Sequence, residues 1–237
     1  MPCCLLCFSG DIMGPDDDPN NMTRQQHKNN FQKSMQDMMC TPQCLVGMLC
    51  GPCCAFTTRK KALDGDLSKY TCCQGYMDGC CCGVPKAGTC GESSCPACCL
   101  CLESCCCVGF NVSSTRLFVM DRYELTSDPC DRRMMRFTNA LQCFACICEI
   151  LALFQPEFAD LADLLTCIAD TVFCMTIGCM IGQLNYELDY QKTTNPNMSF
   201  PGKAVSVAEL RKEARNGSNK VSPDYSNYTL NNNGGNN

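Results

Sequence analysis

The chain has 237 residues, 28 of them cysteine, with one histidine, no tryptophan and a formal net charge of −5. Cysteine at about one residue in eight lies above the level at which composition alone signals thiol chemistry. An acidic balance without a basic cluster removes the electrostatic term that dominates DNA and RNA binding, and a single histidine leaves general acid–base chemistry poorly supplied. With no Ser/His/Asp set and no phosphate loop in the sequence, the expectation is a protein that is not an enzyme and has no nucleic-acid partner.

The N-terminus, Met1-Pro2-Cys3-Cys4-Leu5-Leu6-Cys7-Phe8, carries no basic charge ahead of its apolar run, which ends too early for a secretory signal. On that reading the thiols face a reducing cytosol, where they serve as thiols, metal ligands or lipid attachment points, and a mainly disulfide framework is disfavoured. The sequons at Asn21, Asn111, Asn197, Asn216 and Asn227 are then chance matches. Cys3, Cys4 and Cys7 suit S-acylation, with free or metal-bound thiols as the alternative; two chains anchor stably where one is marginal. Residues 9–39, with Asp16-Asp17-Asp18 and few spaced apolar positions, read as a flexible or weakly helical arm.

Residues 40–107 hold 18 cysteines in 68 positions and little Leu, Ile or Val. Such a stretch cannot by itself bury enough apolar area to offset chain entropy, so something other than packing must staple it. Cys-x2-Cys pairs at Cys50/Cys53, Cys95/Cys98 and Cys98/Cys101, with Cys72-Cys73 between them, offer thiolates suited to tetrahedral zinc, and sulfur ligands select Zn or Cu(I) over hard ions. With His27 in the arm, the sites are all-cysteine, structural zinc is the expected cofactor, and the grouping of ligands stays open. Cys50-Gly51-Pro52-Cys53 is also the thioredoxin tetrapeptide, but no βαβ alternation surrounds it.

Residues 112–125 carry β-branched and aromatic side chains at strand-like density, and Ser127-Asp128-Pro129 closes them with turn chemistry. Two apolar segments follow, 137–154 and about 159–186, separated by Gln155-Pro156-Glu157. The second places Leu161, Leu164, Leu165, Ile168 and Val172 on one helical face and Asp160, Asp163, Cys167, Asp170 and Cys174 on another. Region 137–191 has seven acidic residues and no Lys or Arg, while Arg132, Arg133 and Arg136 precede it and Lys192 follows, as the positive-inside rule predicts for a hairpin with both ends cytosolic. Both segments are short for a full span, so insertion and a soluble amphipathic pair stand as alternatives. If the hairpin inserts, Glu149, Asp163, Cys167 and Asp170 form a candidate ion path in an oligomer, because intramembrane carboxylates are costly unless they serve a function.

Cys44-Leu45-Val46-Gly47-Met48-Leu49-Cys50-Gly51-Pro52-Cys53 resembles, with one inserted residue, the Cys-Leu-x4-Cys-Pro-Cys motif of the PLAC8 cysteine-rich family, also called the placenta-specific 8, plant cadmium resistance or cell number regulator group. Arg116, Arg122-Tyr123 and Cys130-Asp131 follow Cys98-Cys99-Leu100-Cys101 in the family's order, although its terminal Gln-x-x-Arg-Glu element is missing. The likeness covers about residues 44–148, and it implies a membrane-associated protein connected with heavy-metal or calcium handling or growth control.

The expected architecture is a small cysteine-rich, metal-stapled irregular α+β region followed by an α-helical hairpin, flanked by a disordered polar arm and an Asn-rich tail. The segments are 1–39, 40–136, 137–190 and 191–237. Membrane lipid and further copies of the chain are the expected partners, at the cytoplasmic face of a membrane.

Overall fold

A computed structural model gives the structure of the chain and describes residues 27–76 and 87–195. Cys3, Cys4, Cys7, the Cys80-Cys81-Cys82 triplet and the tail after Asn195 lie outside the described residues. In chain order the elements are β1 (Asn29–Asn30), α1 (Met35–Met38), α2 (Pro42–Leu49), α3 (Gly51–Ala62), α4 (Pro96–Cys106), α5 (Val108–Tyr123), β2 (Leu125–Thr126), α6 (Pro129–Phe154) and α7 (Ala159–Thr194). Short 3-10 turns at Leu67–Lys69, Cys72–Gly75 and Pro156–Phe158 complete them. The β content is one parallel pairing, Asn29 with Leu125 and Asn30 with Thr126.

Several helix starts follow from local sequence. Thr41 accepts a hydrogen bond from the Cys44 N–H at 3.3 Å, with Pro42 next to it, and Asp128 accepts from the Cys130 N–H at 2.7 Å ahead of Pro129. A short polar side chain before a proline satisfies an orphan amide while the ring presets the first helical φ. The turn signal at Ser127-Asp128-Pro129 is therefore the start of α6, which runs unbroken through position 137.

Helix α7 organises the molecule. Its residues 176–184 are buried without interruption, whereas residues 159–171 bury only Ala162 and Ala169. The result is a helical body with a hairpin of α6 and α7 extending from it. Helix α2 lies across α7 backbone on backbone: a Cβ at Gly178 would stand 2.4 Å from the Cys44 carbonyl oxygen, and one at Gly47 would stand 3.0 Å from the Gly178 Cα. At the same crossing the buried Cys44 and Cys179 sulfurs are 3.3 Å apart.

Residues 40–76 and 87–107 contribute Cys44, Ala55, Ala62, Leu63, Tyr70 and Leu100 to a core that Val112, Phe118, Val119 and Met120 of α5 and Ile177, Met180, Ile181, Leu184 and Leu188 of α7 complete. The apolar area this stretch lacks is supplied by its neighbours. A cysteine-rich region followed by a helical hairpin is what the structure shows, but the region is helical rather than irregular α+β.

The strand expected over 112–125 is a correction of type: Val108–Tyr123 is helix, and only Leu125–Thr126 is extended. Helix α5 is buried along nearly its whole length, so it carries no amphipathic period, and its hydroxyl residues bond backward instead. Ser114 Oγ and Thr115 Oγ1 both donate to the Asn111 carbonyl, at 3.0 and 2.7 Å. Residues 27–39 of the expected arm are also ordered into the body, with Met35 and Met38 in the core.

A buried polar lock holds these parts together. Arg116 Nη2 donates to Asp131 Oδ2 at 3.1 Å and to Ser127 Oγ at 2.9 Å, and Arg116 Nη1 bonds Gln183 Oε1. Gln183 Nε2 donates in turn to Asp131 Oδ2 at 2.8 Å and to the Lys33 carbonyl at 2.7 Å, and Asp131 Oδ1 accepts the Met35 N–H at 2.9 Å. Arg116, Asp131 and Gln183 are each almost inaccessible to water. The Arg122 guanidinium instead reaches the Ala62 carbonyl and the half-exposed Asp64 carboxylate.

Asp131→Ala is expected to lower stability by about 3–5 kcal/mol, because it leaves a buried guanidinium uncompensated. Asp64→Ala should cost less, because the Ala62 carbonyl still accepts from Arg122 and water can enter beside the half-exposed carboxylate, and denaturant unfolding of the two variants checks the contrast. Gly178→Ala should destabilise by about 1–3 kcal/mol through overpacking. Gly51→Ala, whose added Cβ meets only Ile177 and Val108 side chains at 3.7–3.8 Å, should be tolerated in the same measurement.

Candidate functional site

The thiols named from the sequence fall into two settings. The first is helix α4. Cys95 at its N-cap and Cys98, Cys101 and Cys105 follow at spacings of three, three and four, so they lie along one helical face, and all four are exposed. Neighbours along the row influence one another. The Cys98 thiol and backbone amide hold the Cys95 thiol below the usual cysteine range, whereas the hydrogen bond with Cys95 pushes Cys98 up. Desolvation by the atoms packed beside it and the neighbouring Cys101 push Cys105 up, and Cys53 of α3 lies close enough to add to that repulsion. Cys95, Cys98, Cys101 and Cys105 thus form one thiol row with Cys53 of α3 near its Cys105 end, while Cys50 is exposed at the N-cap of α3.

The second setting is Cys72, Cys73 and Glu103, whose ligand atoms lie within 4.8 Å of one another; among the described residues no other such trio forms. Glu103 is already committed. Its Oε2 accepts from Tyr70 Oη at 2.7 Å and the Cys73 N–H at 2.8 Å, and its Oε1 accepts from Asn111 Nδ2 at 2.9 Å and Arg59 Nη2 at 3.3 Å. Arg59, fully buried, also donates to the Asn111 carbonyl at 3.0 Å and bonds Ser114 Oγ. Four donors on two oxygens make this carboxylate the hub of a buried network tying α3, α4, α5 and the Cys72 turn together. A group so saturated fits a metal poorly. The Cys73 thiol is pushed far up by its bond to Cys72, by burial and by the Glu103 charge, so it also resists the deprotonation that ligation requires. Sequence reading missed Arg59 and Glu103, since 44 positions separate them and neither has a local partner.

The hairpin forms the other candidate surface. Pro129–Phe154 and the run Pro156–Thr194 are each long and apolar enough to cross a membrane. The pair Pro96–Cys106 and Val108–Tyr123 passes the same test only jointly and bends by 115°; its second helix holds buried Arg116 and Asn111 inside the body.

Between α6 and α7 the contacts are small and polar. Thr138 and Thr176 hydroxyls meet at 2.9 Å, Gln142 Nε2 donates to the Ala169 carbonyl at 3.4 Å, and Thr166 Oγ1 donates to Glu149 Oε1 at 2.8 Å. Ala145, Cys148, Ala162 and Ala169 are the buried apolar residues there. The large apolar side chains point outward: Leu153 is 82% and Phe154 79% exposed, and Phe144, Ile147, Ile150, Leu161, Leu164 and Ile168 join them. Glu149 therefore sits in the seam, while Asp163, Cys167 and Asp170 are exposed on the outer surface of α7. The structure does not bring these four into one line within a single chain.

Among the described residues no disulfide forms, and buried Asn111 offers no glycan acceptor. Comparison with known proteins gives no match to a family model, a curated protein or a solved structure.

The pKa directions make the thiols chemically distinct. Cys95 should react with iodoacetamide at neutral pH ahead of Cys98, Cys99, Cys105 and Cys73, since only the thiolate is nucleophilic. Its reaction rate should begin to rise at lower pH than theirs, and Cys98→Ala should abolish the advantage; peptide mass mapping of a pH series reads both.

Proposed function

We propose that this chain is a membrane-associated, cysteine-rich protein that holds a soft divalent metal, zinc, on the thiol row of α4 and the facing end of α3. The observation that carries the membrane half is the inverted hairpin. In water the hydrophobic effect drives Leu, Ile and Phe into a helix–helix seam. In a bilayer that drive vanishes between helices, and small residues with interhelical hydrogen bonds take over the seam. Residues 137–154 of α6 and the matching part of α7 each rise about 27 Å, close to the hydrocarbon thickness. Arg132, Arg133 and Arg136 at the base supply the basic flank of a cytosolic end.

The metal half rests on donor chemistry. Cys95, Cys98, Cys101 and Cys105 are exposed thiols in one row with the exposed Cys53 near its Cys105 end, and thiolates prefer Zn and Cu(I) to Mg or Ca. The ligands as placed form a line, so binding would draw in Cys53 or a further cysteine to close a tetrahedron. Lipid chains on Cys3, Cys4 and Cys7 would add to the anchorage given by the hairpin. No catalytic role is proposed.

A second reading has one specific observation in its favour. Asp163, Cys167 and Asp170 are exposed where an inserted hairpin would meet lipid, an arrangement that association of several copies around an ion path would relieve.

Full-length protein expressed in cells should remain with membranes after alkaline carbonate extraction and carry at least one zinc per chain by elemental analysis. Ile147→Arg with Leu164→Arg should release it to the soluble fraction, each charge costing about 3 kcal/mol of insertion. Cys98→Ser with Cys101→Ser should lower the zinc content while leaving the protein in membranes. A fully soluble wild type, or zinc unchanged in the thiol variant, would overturn the corresponding half. Zinc flux into liposomes that Asp163→Asn with Asp170→Asn abolishes would favour the oligomeric path.

A further inference from the structure

A cavity of about 700 Å³ opens where the hairpin joins the body, between the N-terminal turns of α6 and the segment carrying β1 and α1. That size lies within the range of small-molecule sites. Its charged lining consists of Arg132, Arg136, Asp37 and Asp128. Two cations and two carboxylates make it neutral in sum and divided in place.

The division has a direction. Asp128, Arg132 and Arg136 are spaced by four and share one face of α6, so successive members rise by about 6 Å along the axis. Arg136 adjoins Phe137, the first residue of the apolar hairpin, and Asp128 is farthest from it. On the membrane reading of the hairpin, which this inference rests on, the order away from the bilayer is Arg136, Arg132, Asp128. Asp37 lies across the cavity on α1. Each carboxylate commits one oxygen to a helix cap, Asp128 Oδ1 to the Cys130 N–H and Asp37 Oδ2 to Ser34. The Ser34 amide and hydroxyl hold Asp37 below the usual carboxylate range, so it is charged at neutral pH.

We infer that this cavity binds the headgroup of a phospholipid that carries a phosphodiester and a primary ammonium, the ethanolamine type. The phosphodiester lies nearest the glycerol and meets Arg136 and the donors of Arg132 other than Nη1, which bonds the Ser127 carbonyl at 2.8 Å; guanidinium donors match phosphate oxygens. The ammonium reaches farther from the bilayer and gives its N–H groups to Asp128 and Asp37. A purely anionic headgroup would leave both carboxylates repelled. A quaternary ammonium has no N–H to offer them, and the aromatic side chain at the cavity, Phe31, is already covered by the Arg116 guanidinium at 4.7 Å from its ring centre. The site would fix the depth and rotation of the body against the membrane at a point where α6 leaves it.

The test uses the full chain in detergent micelles, titrated by native mass spectrometry with phosphatidylethanolamine, phosphatidylcholine and phosphatidylglycerol of identical acyl chains, and with soluble phosphoethanolamine. The ethanolamine lipid should bind about tenfold tighter than either other lipid, the difference of one good charge-assisted contact. Arg136→Gln, at an exposed position outside the core, should remove most of that binding; Arg132 and Arg133 keep the basic flank, vesicle entry is measured alongside, and Arg136→Lys, which keeps the charge, should restore part of the binding. Equal binding of ethanolamine and choline lipids, tighter binding of the glycerol lipid, or no effect of Arg136→Gln would overturn the assignment. A wild type that fails to enter vesicles yet binds soluble phosphoethanolamine through Arg136 would overturn the hairpin reading and the lipid source, and would leave a free phosphoethanolamine site.

Discussion

The Arg116–Asp131–Gln183 lock is the interaction on which the arrangement of the body depends. It joins α5, the start of α6, the middle of α7 and the backbone at Lys33 and Met35, segments drawn from both ends of the described chain. A buried ion pair of this kind adds little net stability over an apolar packing of the same volume, because desolvation offsets most of the attraction. Its effect is on specificity: α6 can enter the body in one register with respect to α7, since any other leaves Arg116 or Asp131 unpaired in a dry interior.

A second constraint acts at the α2–α7 crossing. Gly47 and Gly178 bring two backbones together, and the small Cys44 and Cys179 side chains fill the space beside them. Cysteine here serves as a small apolar residue, as does Cys148 in the hairpin seam. The composition that signals metal therefore covers two uses. One group is buried and packs, and the other lies exposed along α4 and at the start of α3, where chemistry with an external partner can occur.

How far the sequence discloses this follows from the range of each interaction. The hairpin was legible because hydropathy and charge asymmetry are local sums: the pause at Gln155-Pro156-Glu157 and the basic residues before 137 lie within the segments they define. Helix α5 was not. A helix buried on all sides loses its 3.6-residue period, and Val112, Thr115 and Val119 then read as strand formers even though neighbouring helices decide their conformation. Residues 27–39 read as an arm for the same reason, since the groups that hold them, Asp131, Gln183 and Glu187, are about 100 to 155 positions away. Of the thiol site, Cys95, Cys98 and Cys101 were visible as Cys-x2-Cys spacing, whereas the helix that turns this spacing into a row on one face was not. The saturation of Glu103 by Tyr70, Cys73, Asn111 and Arg59 was not, because it exists only once four elements have packed.

The two halves of α7 turn opposite kinds of side chain inward. From about Thr176 to Gln191 its buried positions include Gln183, Glu187 and Gln191, each hydrogen-bonded within the body, as an aqueous core demands of polar groups. From Ala159 to about Phe173 the order reverses, with Ala162, Thr166 and Ala169 toward α6 and Leu161, Leu164 and Ile168 outward. A helix that lay wholly in water would gain by turning Leu161, Leu164 and Ile168 onto α6, and the polar seam of Thr138, Gln142, Glu149, Thr166 and Thr176 prevents that rotation. The change of rule along a single continuous helix, at the level where Arg136 and Phe137 adjoin on α6, marks the height at which the proposed membrane boundary would fall.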